Sequence, residues 1–566
     1  MNPRRLLAFD LGSSGGRALW GTFDGGRLSM EVLRTFPNGP VRMHGGWYWD
    51  MLRLVSEVEE GIRAAVRKSG GEPFTIGVDT WGVDVALVDE TGQILGNVHN
   101  YRDPRTEGLY DDIFPLLSRE EIYATTGIMF IQFNTLVQLY AEKKARPWVL
   151  ERAQRLLFPP DFFNWVLTGR CVSERTIAST SQFLDPGTGE WARGILDRLG
   201  IPHHFLCPIV APGTVLGPLT PEMRSITGAP ESVRVVAVGG HDTASAFYAT
   251  PAVGPDCAFI SAGTWSLLGR ELATPERSAA SMDANFSNEC GVADTIAYNK
   301  ILGGLWLIQE CRRCWREAGN DLSFADIHTA AREAEGLRFV FDPDDPRFMN
   351  PDNMPREIAA WFSDRGEDAP RSTAEIARSV YESLALNHAL AIGDMERIFG
   401  RPVTAVHIVS GGSQAELLCR FTADASGLPV HAGPVEATAV GNMLSQLVAT
   451  GDVSGTKEGR EIVGRSYDIA TYEPGRDGKW DAALRKLRGA RHVLHRRHTA
   501  VEGHGHGQIR QLRGHMICQA APPAKAHDAQ LAVGVLQRQQ AARCGHDVGA
   551  RLGRIHVVCE NGVDPG

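Results

Sequence analysis

No stretch of this 566-residue chain stays apolar long enough to span a bilayer, and its ten cysteines follow no spacing that would define a disulfide framework. Nor is there an excess of positive charge, since 58 Lys and Arg stand against 67 Asp and Glu for a formal net charge of -9. That balance argues against a nucleic-acid or membrane-surface binder. The N-terminus lacks a signal-peptide core and enters a strand-like run within a few residues, so the expected location is the cytoplasm, with reduced thiols. Cys311 and Cys314 form one Cys-x-x-Cys without a companion pair, inside the helical run 305–317, which favours packing over redox or zinc chemistry. The 43% hydrophobic content is ordinary for a globular protein. The length exceeds what one core organises, so two large domains are expected.

Two turns rich in glycine and hydroxyl groups are what the chain does have: Asp10-Leu11-Gly12-Ser13-Ser14-Gly15-Gly16-Arg17 and Ser261-Ala262-Gly263-Thr264-Trp265-Ser266. Each lies between two apolar strand-like runs. In a strand–turn–strand of this kind glycines permit positive φ and let backbone N–H groups approach an anion, Ser and Thr hydroxyls add donors, and Arg17 adds charge. Polyphosphate is the ligand such turns suit. Asp10, at the end of the first strand, would repel bare phosphate, which implies a divalent cation between them, Mg²⁺ with its waters kept.

The predicted elements repeat. Strands at 5–10, 18–24 and 28–36 form a meander, followed by a helix at 51–68 and strands at 74–79 and 83–88. Downstream come a strand at 233–238, a helix at 244–249, the second hairpin from residue 257, a long helix at 379–399 and a strand at 405–409 that ends in Ser410-Gly411-Gly412-Ser413. The fold class expected is α/β: two duplicated domains with a nucleotide cleft between them. In Gly239-Gly240-His241-Asp242-Thr243-Ala244 a carboxylate stands at a helix start beside a phosphate site. Asp242 there suits a general base for a hydroxyl that attacks a γ-phosphate; a helix N-cap is the competing role.

These segments together resemble the FGGY carbohydrate kinase family, of the actin/Hsp70/sugar-kinase (ribonuclease H-like) fold, over residues 4–487. The resemblance rests on the two hairpins, Gly77-Val78-Asp79-Thr80-Trp81-Gly82-Val83-Asp84, His241-Asp242-Thr243, Gly304-Leu305-Trp306-Leu307-Ile308-Gln309 and Gly433-Pro434-Val435-Glu436-Ala437-Thr438-Ala439-Val440-Gly441-Asn442. It is closest to the branch that phosphorylates L-rhamnulose. It implies ATP and Mg²⁺ as cofactors, Asp242 as the base, and Ser13, Ser14, Gly15, Gly16, Arg17, Thr264, Gln309 and Gly411 at ATP. Gly82, His241, Asp242, Thr243 and Asn299 fall at the sugar, and Asp10 near the metal. Trp81 offers an aromatic face to the 6-methyl of a deoxy-sugar, or else is plain core. Two positions depart from the pattern: Ile301 where an Asn that touches sugar is usual, and Ala415 where Asn is common. A kinase for another ketose, L-fuculose or D-xylulose, stays open for that reason, as does an ATPase of the same fold with no sugar. The expected divisions are 1–243, 244–487 and a tail 488–566, and the protein is expected to be a monomer or small homo-oligomer.

The tail differs in kind. It holds nine of the eighteen histidines, and over 489–566 nine Arg and one Lys face five acids with no aromatic residue. Such a stretch buries too little apolar surface to offset its ordering entropy, so it is expected to be dispensable. Adventitious metal binding through His492, His495 and His498 is the alternative.

Overall fold

The computed structural model describes residues 3–252, 254, 256–475 and 478–502. Met1–Arg491 form one compact unit. The expectations for the tail from residue 503 onward lie outside the described residues.

The first sheet is built on β1 (Arg4–Leu11), which sends Leu7, Phe9 and Leu11 into one apolar cluster and Leu6 and Ala8 into another. A strand covered on both faces must be apolar throughout, which is why it reads as a continuous run. β2 (Gly15–Phe23) and β3 (Leu28–Pro37) follow it as an antiparallel meander. β4 (Thr75–Thr80) then pairs parallel with β1, and the sheet is completed by β5 (Thr214–Pro218) and β6 (Arg234–Ala237) in the order β5-β6-β4-β1-β2-β3. α1 (Met51–Ser69) covers one face, started by the Asp50 side chain on Arg53 N and ended by Gly70 at φ 63°.

The second sheet repeats the plan. β7 (Cys257–Ala262) and β8 (Trp265–Leu272) form the hairpin, and β9 (Ser287–Cys290) and β10 (Ile296–Gly303) extend its antiparallel edge. β11 (Ala405–Val409) pairs parallel with β7, and β12 (Val430–Ala432) and β13 (Ala470–Tyr472) finish the order β9-β10-β8-β7-β11-β12-β13. Both sheets thus join an antiparallel meander, two parallel strands and an antiparallel edge, the duplicated α/β architecture expected.

The lobes interlock. α2 (Asp242–Tyr248) leaves the first sheet, and α5 (Ala437–Ala449) returns from the second to lie on the first. Asn442 of α5 donates to Asp79 Oδ2 at 2.6 Å, and Gln446 donates to the Leu7 carbonyl at 3.1 Å. The two helices meet at Gly441, where a Cβ would come 1.9 Å from the Ser245 carbonyl oxygen. Between them the second lobe adds α3 (Trp306–Glu317) and α4 (Thr373–Phe399).

Three elements differ from expectation. The strand expected at 83–88 shrinks to Ala86–Val88, because Val83 takes φ 68° while the Asp84 carboxylate is drawn inward by indole and amide donors. α4 begins six residues early, where Ser372 and Glu375 form a reciprocal capping box. The last helix, α6 (Lys479–Glu502), runs past residue 487, where the sequence reading ends the second domain. Its apolar stripe of Trp480, Ala483 and Leu487 continues one turn further to Arg491, which grips Asp342 at 2.6 Å and Asp344 at 2.8 Å.

Candidate active site

Both hairpins open onto one cavity between the lobes, with Gly12, Ser13 and Ser14 on one side and Ser261, Gly263 and Thr264 on the other. The first turn is closed by Gly12 N donating to the Gly15 carbonyl at 2.9 Å, the second by Gly263 N donating to the Trp265 carbonyl at 2.8 Å. The second turn also seats α3, since Leu305 N and Trp306 N donate to the Gly263 and Thr264 carbonyls. The positive φ expected of the glycines is not what these turns use. None of Gly12, Gly15, Gly16 or Gly263 has a φ in the left-handed region. Gly16 is required because a Cβ would sit 2.2 Å from the Phe36 ring.

Asp242 begins α2 at the floor of the same cavity, with a third of its side chain (34%) open. His241, not Asp242, occupies the N-cap, and the Asp242 carboxylate accepts from Thr243 N at 2.6 Å and Thr243 Oγ1 at 3.1 Å. The carboxylate thus meets a first-turn amide from the position next to the cap. The turn before it is fixed from below: buried Glu174 accepts from Gly240 N at 2.9 Å, and Thr80 N donates to the Gly240 carbonyl at 2.9 Å. A side chain at Gly240 would meet Glu174 and Pro160 at 3.0 Å. Burial, and then the Asp10 charge, raise the Asp242 pKa, while the neighbouring His241 lowers it.

Opposite lies an apolar and aromatic wall. Trp81 lines the cavity and stacks on Trp49 at 4.1 Å, so it is both core and wall. Its indole N–H donates to Asp84 Oδ2 at 3.0 Å, beside a 2.6 Å bond from the Trp49 indole, while Gln138 donates to Asp84 Oδ1 at 2.8 Å. Asp84 is fully buried, and its pKa is pushed up to about 6 by that burial against the pull of its donors. Gly82 lies against the His241 ring, where a Cβ would be 3.3 Å from Nε2. Ile301 on β10 and Leu267 on β8 complete the wall.

The remaining expected residues are placed less uniformly. Arg17 is taken up by Asp10 at 2.6 Å and by Glu436 at 2.6 Å, and does not line the cavity. Gln309 and Gly411 are exposed and stand outside the cavity wall. Asn299 does not line the cavity: it is fully buried, its amide goes to the Ala297 carbonyl at 3.0 Å, and Ile301 holds the wall position instead. Ala415 is buried between Gly412 and α-helix 416–426.

Four carboxylates near the hairpins went unassigned or under-read in the sequence: Asp79, Glu174, Glu289 and Glu436. Asp79 pairs across the strands with Asp10, and burial, then Asp10, hold its pKa well above the carboxylate range. Its Oδ1 is buried without a hydrogen-bond partner. An orphaned buried carboxylate oxygen on the strand beside Asp10 fits a cation at the phosphate side. Among the described residues no group of three or more His, Cys, Asp or Glu forms a metal cage.

Two hairpins of the phosphate-gripping kind, a carboxylate at a helix start and a hydrophobic wall, set in one cleft of a duplicated α/β fold, define a phosphotransferase of the sugar-kinase type. The chain belongs to the FGGY family of carbohydrate kinases: the family's N-terminal domain matches residues 6–248 and its C-terminal domain residues 258–450. A rhamnulokinase of Bacteroides thetaiotaomicron is 37% identical over 480 residues, 85% of this chain and 98% of that protein. One of Enterococcus faecalis is 38% identical across 84% of this chain and 95% of its own length. Among solved structures, gluconate kinase from Lactobacillus acidophilus superposes with a TM-score of 0.72 at 17% identity, covering 87% of this chain and 98% of that one. Plasmodium falciparum glycerol kinase with ADP gives a TM-score of 0.68 at 14% identity, covering 88% and 98%. No helix among the described residues is long and apolar enough to cross a membrane.

Proposed function

We propose that the chain transfers the γ-phosphoryl group of ATP to the 1-hydroxyl of L-rhamnulose, giving L-rhamnulose 1-phosphate and ADP. The observation that carries this is the convergence of both hairpins, Asp242 and the Trp81–Gly82 wall on a single cavity. The rhamnulokinase relatives, at 36–38% identity over most of their length, support the choice of sugar.

In this reading the backbone N–H groups and hydroxyls of Ser13, Ser14 and Thr264 take the phosphates, and Asp242 accepts the proton of the attacking hydroxyl. Its raised pKa brings the carboxylate closer to the operating range of a base. His241 and Thr243 orient the sugar, and Trp81 covers its methyl group. Mg²⁺, held at the Asp10 side, would neutralise developing charge on the phosphates. Arg17, already shared between Asp10 and Glu436, acts by fixing Asp10 rather than by touching phosphate. Arg102 of the first lobe stacks over Trp306 at 4.7 Å and Trp265 at 5.5 Å and donates to the Met349 carbonyl at 3.2 Å, closing the lobes and shedding water that would compete for the phosphoryl group. Ile301 favours a second reading in which another ketose, L-fuculose or D-xylulose, is preferred.

ADP release measured across a panel of keto- and aldo-sugars with Mg²⁺ tests the assignment, with L-rhamnulose expected to be best. Turnover independent of every sugar would overturn it. Asp242→Asn should lower kcat by roughly 10²-fold or more while ATP binding is little changed; near-normal kcat removes Asp242 from the chemistry.

A further inference from the structure

We infer that Glu289 is a positioning residue for the phosphoryl transfer: from β9 of the second lobe its carboxylate lies against Nδ1 of the His241 ring, whose Nε2 faces the Asp242 carboxylate. The inference rests on the reading of Asp242 as the base. Glu289 Oε2 lies 3.0 Å from His241 Nδ1, and His241 Nε2 lies 3.5 Å from Asp242 Oδ1. Both Glu289 and His241 line the cavity and are buried, at 5% and 7% exposure. A line of carboxylate, imidazole and carboxylate therefore runs from one lobe to the reacting group of the other. The ring also receives Gly82 against Nε2, so its edge forms part of the surface the sugar meets.

Neither Glu289 Oε2 nor His241 Nδ1 makes an aligned hydrogen bond, so the carboxylate acts on the ring through its charge at 3.0 Å. While the ring is an imidazolium, Nε2 carries a proton toward Asp242 and holds that carboxylate ionised and oriented. When the ring is neutral its attraction for both carboxylates is lost. Burial works against the imidazolium, but Glu289, Asp242 and Glu174, from three different elements, together hold its pKa above the ordinary histidine value. Asp242 in turn feels the Asp10 charge, which works toward its protonation while the ring opposes it.

Glu289→Gln keeps the shape and removes the charge, and the test compares it with wild type in kcat against pH. The alkaline limb should move down by about one pH unit, with the KM for ATP unchanged. Glu289→Asp, which keeps the charge, should retain the wild-type limb at a lower kcat. The ring signal of His241 in a ¹⁵N titration, assigned by its loss in His241→Gln, should move down by a similar amount in Glu289→Gln. Superimposable profiles and titrations of wild type and Glu289→Gln overturn the inference, as does a lower melting temperature with an unmoved limb, which marks a merely structural pair. Wild type without sugar-dependent turnover overturns the kinase reading, and the ring titration, which needs no turnover, then upholds or overturns the clamp by itself.

Discussion

Arg491→Ala perturbs a contact that lies past the point where the sequence reading ends the second domain. The guanidinium makes two bonds to Asp342, through Nε at 3.0 Å and Nη2 at 2.6 Å, and Nη2 also reaches Asp344 and the Asn387 side-chain oxygen at 2.8 Å each. The Asp342 side chain is 9% exposed, and burial already raises its pKa in spite of Arg491. Breaking a fully buried pair from one side costs about 3–5 kcal/mol; with Arg491 a quarter exposed, about 2–3 kcal/mol is the working figure. If the second lobe melts as one body, that is a fall in Tm of roughly 4–12 °C. The sign with pH follows from the raised pKa: an uncompensated Asp342 costs nothing below the unfolded value of about 4 and progressively more as pH rises above it, so the deficit should be small at acid pH and full at pH 7. Calorimetry at pH 4.5 and 7.5 on Arg491→Ala, on a chain ending at Leu487 and on one ending at Glu502 checks this. Equal melting of all three with wild type at pH 7.5 refutes the reasoning, and equal loss at both pH values refutes the part assigned to Asp342. Some loss of turnover should accompany the first two, because Asp344 Oδ1 also accepts from Gly303 N at 2.6 Å, at the end of the strand that carries Ile301.

Asp84→Asn should raise the KM for sugar several-fold and leave that for ATP unchanged, because Trp81 loses its charged acceptor and its fixed orientation; equal effects on both substrates would contradict that role. Wild type should also lose stability from about pH 4 to about pH 6 as buried Asp84 ionises, a slope that the variant lacks, visible in urea midpoints across that range. Arg102→Ala removes the two cation–π contacts that cross to the second lobe, worth about 0.5–1 kcal/mol each, so kcat/KM for sugar should fall by roughly 5–30-fold and ADP release without sugar should rise; an unchanged sugar dependence would show that Arg102 does not close the lobes.

The duplicated sheets were legible because β1 and β7 are covered on both faces and so read as unbroken apolar runs next to hairpin signals. Asp242 was legible for a different reason, a carboxylate between a Gly-Gly turn and a helix. Glu289 was not: it stands on a four-residue strand with no turn or repeat signal, and only the pairing of that strand with β10 carries it to His241. Asn299 was misplaced because residues 299 and 301 have the same parity on β10, so sequence alone leaves open which of them meets the cavity. The end of α6 was drawn short because a shift in composition stood in for a structural boundary, while the anchoring partners of Arg491 lie about 150 residues earlier in the chain.

The backbone-to-backbone meeting of α2 and α5 at Gly441 bears on how the cleft opens. Each helix is rooted in a different half of the chain, and each helps to build the apolar floor beneath the other's sheet. A hinge made of loose connecting chain would let the halves swing freely and lose register. A crossing without an intervening side chain has the geometry of a knife-edge pivot, and lobes that rocked about it would leave Asp79, held by Asn442, close to the axis. Rotation about that line moves the outer rims of the cleft far and its floor little, so Asp242, one turn of helix from the crossing, keeps its aim while nucleotide and sugar come and go.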